Sequence, residues 1–270
     1  MMQIGYLISA LDQLEDVAAW GYDYAEAVPW LLDPDFLRLD DHSTQAAAVA
    51  LARIRAAPLP VTTLCGFMPE PESNGLMVVG PQVNPTRLRT YVTRVFDTMQ
   101  RAGIDVIGYG SGSSRWTPAG FARDQALEQV CDFLRMCDEL GRPRGVRVAL
   151  EPYNRDDANL LNTVAEALSL VQAVNVPNCQ LMADFFHMQL NGEPTDELLA
   201  AAPHLIHAHI AEPGRGRPQT TPAQHAHFLH TLRRAGYDGR VTQTGPLPAY
   251  ASPAEAAASL KRAASEPLTK

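Results

Sequence analysis

Basic charge is in short supply, with 22 Lys and Arg against 30 Asp and Glu in 270 residues and a formal net charge of −8. Neutralising a phosphate backbone takes a basic face, so this balance speaks against duplex nucleic acid as a partner. Cysteine is scarce as well. The four residues, Cys65, Cys131, Cys137 and Cys179, form no C-x-x-C pair, which removes the common zinc and dithiol motifs and leaves no disulfide framework to expect. No stretch approaches the ~18 uncharged residues of a membrane span. The start MMQIGYLISALDQLEDV lacks a basic n-region and meets Asp12 before any long apolar core. A reduced, soluble, cytoplasmic protein with no membrane partner is the expectation. There is no low-complexity linker and no break in composition, so residues 1–270 are read as one domain.

What is present is a folding composition, 46% apolar and 19% charged. Short apolar runs alternate with longer segments of helical period, the pattern of βα units and a parallel sheet. The strands expected are Gln3 to Ile8, Tyr22 to Val28, Pro60 to Cys65, Ile104 to Tyr109, Val146 to Glu151, Cys179 to Asp184, Leu205 to Ile210 and Arg240 to Thr244. Helices are expected over Arg87 to Ala102, Phe121 to Leu140, Thr163 to Val174, Pro222 to Ala235 and Pro253 to Ala264, several opened by Pro or a Ser/Thr cap. Eight units of about 34 residues match a single α/β (β/α)8 TIM barrel. The alternative is an open doubly wound sheet. No G-x-G-x-x-G follows the first strand, and Gly108, Gly110 and Gly112 read as a strand-end loop. Met68 to Pro85 is the longest irregular segment, a length often used for lids or binding loops.

In such a barrel, substrate is reached from the carboxyl ends of the strands. The fifth strand, VRVALEPYNR, ends in Glu151. The sixth, CQLMADFFHM, ends in Asp184 with His187 three residues on, and the seventh, LIHAHIAEPGR, carries His207 and His209 before Glu212 and Arg215. Two carboxylates and an imidazole at successive strand ends suit Mn²⁺, Mg²⁺, Co²⁺ or Zn²⁺. Side chains two apart share a face, which sends Leu205, His207 and His209 toward the axis and Ile206, Ala208 and Ile210 toward the helices. Trp116, after the fourth strand, could stack on a ring of a bound ligand or serve core or interface packing, and its neighbour Arg115 could bind a phosphate or carboxylate or pair with an acidic side chain. His225, His227 and His230 are read as polar and boundary positions of an exposed helix.

At these residues the chain resembles the sugar phosphate isomerase/epimerase family, the xylose isomerase-like barrels that include ketose 3-epimerases, hydroxypyruvate isomerase and inosose dehydratase. The resemblance is carried by GYDYAEAVP, GYGSGSSRWTPAGF, LEPYNRDDANLLNT, MADFFHM and HAHIAEPGRGRP. It implies a divalent metal on Glu151, Asp184 and His209, substrate contacts from His187 and Arg215, and Glu26 near the site. Family members commonly end the eighth strand in G-Y-D-G-x-V-S-I-E, whereas this chain reads GYDGRVTQTG, with Thr244 in place of the Glu and Gln243 expected to face the helices. With three ligands, the metal is expected to be held weakly or not at all.

That substitution bears on chemistry. Epimerisation beside a carbonyl normally needs two acid/base groups on opposite faces, whereas an aldose–ketose shift or a dehydration starts from one base. The expectation is an isomerase-type or dehydratase enzyme acting on a small sugar or polyhydroxy carbonyl compound, with Glu151 and His187 catalytic and Arg215, Glu26, Trp116 and Glu212 on the substrate. The alternative is a sugar-binding barrel that has lost catalysis. A phosphodiesterase of the endonuclease IV type shares this barrel, but the acidic charge and the absence of a basic or aromatic groove oppose it. No P-loop or phosphate nest implies a phosphorylated sugar, and a homo-oligomer stays open.

Overall fold

Each apolar run can bury its outer face only under the segment that follows it, so strand–helix repeats accumulate into a sheet covered by helices. The computed structural model describes residues 1–37, 45–70, 75–211, 222–245 and 252–266. The strands are β1 (Gln3–Leu7), β2 (Tyr24–Ala27), β3 (Val61–Leu64), β4 (Val106–Tyr109), β5 (Arg147–Leu150), β6 (Cys179–Asp184), β7 (Leu205–Ala211) and β8 (Arg240–Thr244). They pair in parallel in chain order, and β8 returns to β1 to close a (β/α)8 barrel, which rules out the open sheet. Strands β6 and β8 have the expected bounds, and the rest differ by one or two residues at an end.

Helices among the described residues are α1 (Leu14–Ala19), α2 (Pro29–Leu32), α3 (Gln45–Arg55), α4 (Pro85–Ala102), α5 (Arg123–Gly141), α6 (Val164–Val174), α7 (Phe185–Asn191), α8 (Glu197–Ala201), α9 (Pro222–Arg234) and α10 (Pro253–Ser265). The longer ones start and stop where their ends dictate. The Asn84 side chain accepts from the Arg87 N–H with Pro85 in the first turn, and α4 stops at left-handed Gly103. Thr163 caps α6, and Ser252 and Glu255 cap α10 reciprocally. None is long and apolar enough to cross a membrane.

The main core lies between sheet and helices, where Val148, Leu150, Leu181 and Ile210 pack. Inside the barrel, Val106, Ala149 and Met182 form a separate cluster. Space there is made by residues without side chains: a Cβ on Gly5 would lie 2.3 Å from the Tyr24 ring.

Two expectations change. Ile206 packs inside, against Val106, Ala149 and Met182, while Leu205 joins the outer core. The cause is a register shift, since Leu181 pairs with Leu205 but Met182 with His207, leaving Ile206 as an extra residue on β7. His207 and His209 nevertheless face the axis. His225 is buried rather than peripheral, its ring edge-on to Phe185 at 5.8 Å. The long segment from Met68 is tied to the loop after β4, with the Met68 N–H donating to Ser111 Oγ at 3.0 Å and the Val78 N–H to the Ser114 carbonyl at 2.7 Å. Residues 71–74 of that segment lie outside the described residues.

Candidate active site

Consecutive parallel strands bring their last residues together at one rim of the barrel. Glu151 follows β5, Asp184 ends β6 and His209 lies near the end of β7, and one ligand atom from each falls within 4.8 Å of the others. His209 Nδ1 is 3.7 Å from both Glu151 Oε1 and Asp184 Oδ2. All three residues are buried.

Local structure fixes each side chain. Asp184 is the N-cap of α7, where Oδ1 accepts the Phe186 N–H at 2.7 Å and Oδ2 is left facing His209. Glu151 lies over Gly110, where a Cβ would stand 1.9 Å from Glu151 Oε2 and force the carboxylate away. His209 is anchored from behind, its Nε2 being 3.0 Å from Glu26 Oε1. Nitrogen bonded to a carboxylate on one side of the ring leaves the other nitrogen free to ligate.

Glu26 is the base of this arrangement. It is fully buried, and its Oε2 accepts from Thr63 Oγ1 at 3.0 Å, from His207 Nε2 at 2.8 Å and from Thr242 Oγ1. Tyr24 Oη, 2.8 Å from Thr242 Oγ1, extends the network across the barrel. With His209, four donors take up the Glu26 carboxylate, which stands directly behind His209. Burial opposes its charge, but the His209 and His207 imidazoles outweigh burial and hold this carboxyl well below the usual range.

The remaining titrations follow from the same charges. Burial raises the proton affinity of Glu151, and the opposing pull of His209 does not cancel it. Burial acts the same way on Asp184, yet the His187 and His209 imidazoles hold it below the usual carboxylate range. His209 is itself driven well above its ordinary value, because Glu26, Asp184 and Glu151 outweigh its burial.

His187 completes the group from the third position of α7. Its Nε2 lies 3.9 Å from Glu151 Oε1 and 4.0 Å from Asp184 Oδ2. Its Nδ1 faces two donors of Asn154, the side-chain amide at 2.8 Å and the backbone N–H at 3.3 Å. The Asn154 amide is oriented in turn, since its oxygen accepts from the Asp156 and Asp157 N–H groups and its nitrogen donates to Asp157 Oδ2 at 2.7 Å. Nδ1 is therefore an acceptor and Nε2 carries the proton toward the carboxylates. The Tyr153 ring stacks on the imidazole at 4.0 Å.

On β8, Thr242 points inward to Glu26, and Thr244 shares its face two residues on, paired with Ala211. Gln243 faces the helix side, where Tyr22 Oη donates to it at 2.6 Å. No fourth carboxylate joins the group among the described residues. Glu212 and Arg215 lie outside the described residues. Trp116 is 43% exposed, following the turn after β4. The sequence did not single out Thr63, Thr242 or Asn154, and marked Gly110 only as part of a strand-end loop. Alternation puts the two threonines on the inward face, two residues before Cys65 and Thr244 at their strand ends, but does not tell of their contact with Glu26. The donor set itself, two carboxylate oxygens and an imidazole nitrogen with its partner nitrogen anchored, fits a divalent cation such as Mn²⁺, Mg²⁺, Co²⁺ or Zn²⁺.

Known proteins share this architecture. The chain is 28% identical to the 3-dehydro-D-guloside 4-epimerase of Escherichia coli K12, over 76% of this chain and 79% of that protein. It is 36% identical to the ketose 3-epimerase of Arthrobacter globiformis, but over only 46% of this chain and 42% of that one. The solved apo structure of 3-keto-D-glucoside 4-epimerase from E. coli superimposes with a TM-score of 0.71, covering 97% of this chain and 99% of that one at 24% identity, a likeness that speaks for the fold. The family pattern itself spans residues 14–263, from α1 to α10, and the chain therefore belongs to the xylose isomerase-like TIM barrel family.

Proposed function

We propose that the barrel is an isomerase-type or dehydratase enzyme that takes a proton from the carbon beside the carbonyl of a small sugar or polyhydroxy compound. The observation carrying this reading is the convergence of Glu151, a buried carboxyl of raised proton affinity, with Asp184, His209 and the proton-bearing Nε2 of His187. The names of the relatives, epimerases of keto sugars, support the substrate class.

In the proposed reaction, Glu151 removes the C–H proton and the bonding electrons move onto the carbonyl oxygen. For isomerisation, the same carboxyl returns the proton to the neighbouring carbon. His187, in the tautomer that Asn154 enforces, donates its Nε2–H to the substrate oxygen that gains charge; for isomerisation it takes a proton back from the neighbouring hydroxyl as that becomes the new carbonyl, and for dehydration its proton goes instead to the hydroxyl that leaves as water. A divalent cation held by Glu151, Asp184 and His209 would supply polarisation of the carbonyl. Glu26 holds the His209 ring in orientation, and the closed layer beneath, Thr63, Thr242 and Tyr24, keeps water from entering below. Arg215, Glu212 and Trp116 are proposed on the substrate side from their sequence positions.

Solvent deuterium exchange on a panel of aldoses and ketoses tests this. Exchange is expected for the wild type, with a loss of at least ~10²-fold in Glu151→Gln and in His187→Ala, the usual scale for removing an acid/base group. Aldose–ketose conversion should outrun 3-epimerisation, because Thr244 stands where a second base is expected. Rapid 3-epimerisation that survives His187→Ala would overturn the one-base reading. Thr244 also favours a second reading, a sugar-binding barrel without catalysis, for which the outcome is sugar binding with no exchange on any substrate.

A further inference from the structure

Arg115 ends the short turn Ser113–Arg115 after β4 and has no exposed surface. Among the described residues, no carboxylate pairs with it, and its Nε is buried without a hydrogen-bond partner. A buried guanidinium left without an anion is costly, so the fold retains it for what it touches. Nη1 donates to the carbonyl of Tyr109, the last residue of β4, at 3.1 Å, and Nη2 to the carbonyl of Glu151 at 2.5 Å. The two strand ends are thus clamped together at the residue whose carboxyl faces the site. The guanidinium carbon also lies over two rings, 5.3 Å from the centroid of Tyr109 and 5.4 Å from that of Tyr153. Tyr153 in turn stacks on His187.

We propose that Arg115 is the positioning residue of the site, fixing Glu151 through its backbone and His187 through Tyr153. The inference rests on Glu151 and His187 acting as proposed above. A planar fork that donates to two carbonyls while presenting two flat faces is specific to arginine, so lysine keeps the charge but not the clamp.

The test compares Arg115→Met and Arg115→Lys with the wild type in thermal stability, in kcat and KM for solvent exchange, and in the imidazole ¹⁵N–¹³C spectrum of His187 in the metal-free protein. Removal of an unpaired buried charge offsets the loss of its two hydrogen bonds to carbonyls, so the melting temperature of Arg115→Met should stay close to that of the wild type. Its kcat should fall roughly 10- to 100-fold with KM within about twofold, as expected for a misplaced reacting group, and His187 should lose its single Nε2–H tautomer. Arg115→Lys should show the same losses. A folded variant that keeps both the wild-type kcat and the wild-type tautomer, or failure of both variants to fold, overturns the proposal in favour of a purely structural role. If Glu151→Gln measured in parallel exchanges as fast as the wild type, the reading of Glu151 as base fails, while the His187 spectrum still decides whether Arg115 positions that ring.

Discussion

Four donors on one carboxylate make Glu26 the least replaceable polar residue at the site, although it faces no open space. An amide in its place presents an NH₂ group to donors that need an acceptor, and the buried mismatch costs about 1–3 kcal/mol. Glu26→Gln is therefore expected to lower the unfolding free energy from urea denaturation by about that amount. It should also weaken Mn²⁺ binding in calorimetry by roughly 10- to 100-fold, the usual loss when the outer partner of a ligating histidine goes. Unchanged Mn²⁺ affinity would show that His209 needs no support from behind. At this scale the sequence was readable where chemistry ends a strand, as at Glu151, Asp184 and His209. It was silent where a role depends on distant chain segments meeting. Thr63 and Thr242 matter because they reach Glu26 from 37 and 216 residues away, and nothing local announces that contact.

Helices with a cap and a long apolar stripe were legible as elements, and short ones were not. Pro85–Ala102 and Pro253–Ser265 carry their own start signals, whereas Phe185–Asn191 runs directly from β6 and takes its cap from Asp184, a residue already read as a ligand. The extra residue on β7 was equally hidden, since Leu-Ile-His reads as simple alternation. One contact between elements is sensitive to pH. Glu193, just past α7, accepts the Val164 N–H at the start of α6 at 2.7 Å, while its other oxygen is buried without a partner. Burial, with smaller contributions from Glu197 and Glu166, pushes its carboxyl up to about 7. Between about 4.5 and 7 the folded chain holds a proton that the unfolded chain has released, so Glu193 costs stability progressively as pH rises through that window and no further above it. Glu193→Gln cannot ionise and still accepts the Val164 N–H. Its melting temperature should match the wild type near pH 5 and exceed it near pH 8 by roughly 2–4 °C, the shift that about 1 kcal/mol produces at this chain length once solvent screening of this half-buried carboxyl is allowed for. A gap that does not widen with pH would assign the carboxyl an ordinary affinity.

The barrel as a whole was readable because its eight apolar runs recur with helical segments between them, and closure then follows from pairing in chain order. Closure also decides what a missing residue means. The ends of β5, β6, β7 and β8 form a continuous arc, and three of the four contribute Glu151, Asp184 and His209 while the fourth offers Thr244 on the face shared with Thr242. Thr244→Glu restores a carboxylate at the open end of that arc, where it could complete a cation's ligands and stand across the substrate from Glu151. Two changes are expected together. Mn²⁺ binding should tighten at least about tenfold, as a charged oxygen ligand replaces a neutral hydroxyl. Epimerisation should also rise relative to aldose–ketose conversion, because a second acid/base group then serves the opposite face. Calorimetry with Mn²⁺ and product analysis on a ketose panel measure both. Should Thr244→Glu leave Mn²⁺ binding unchanged while Glu151→Gln abolishes it, the end of β8 does not reach the cation and the fourth ligand belongs to another part of the chain. Should binding tighten with no gain in epimerisation, the carboxylate reaches the ion but not the substrate, and the proposed one-base chemistry depends on more than the residue at position 244.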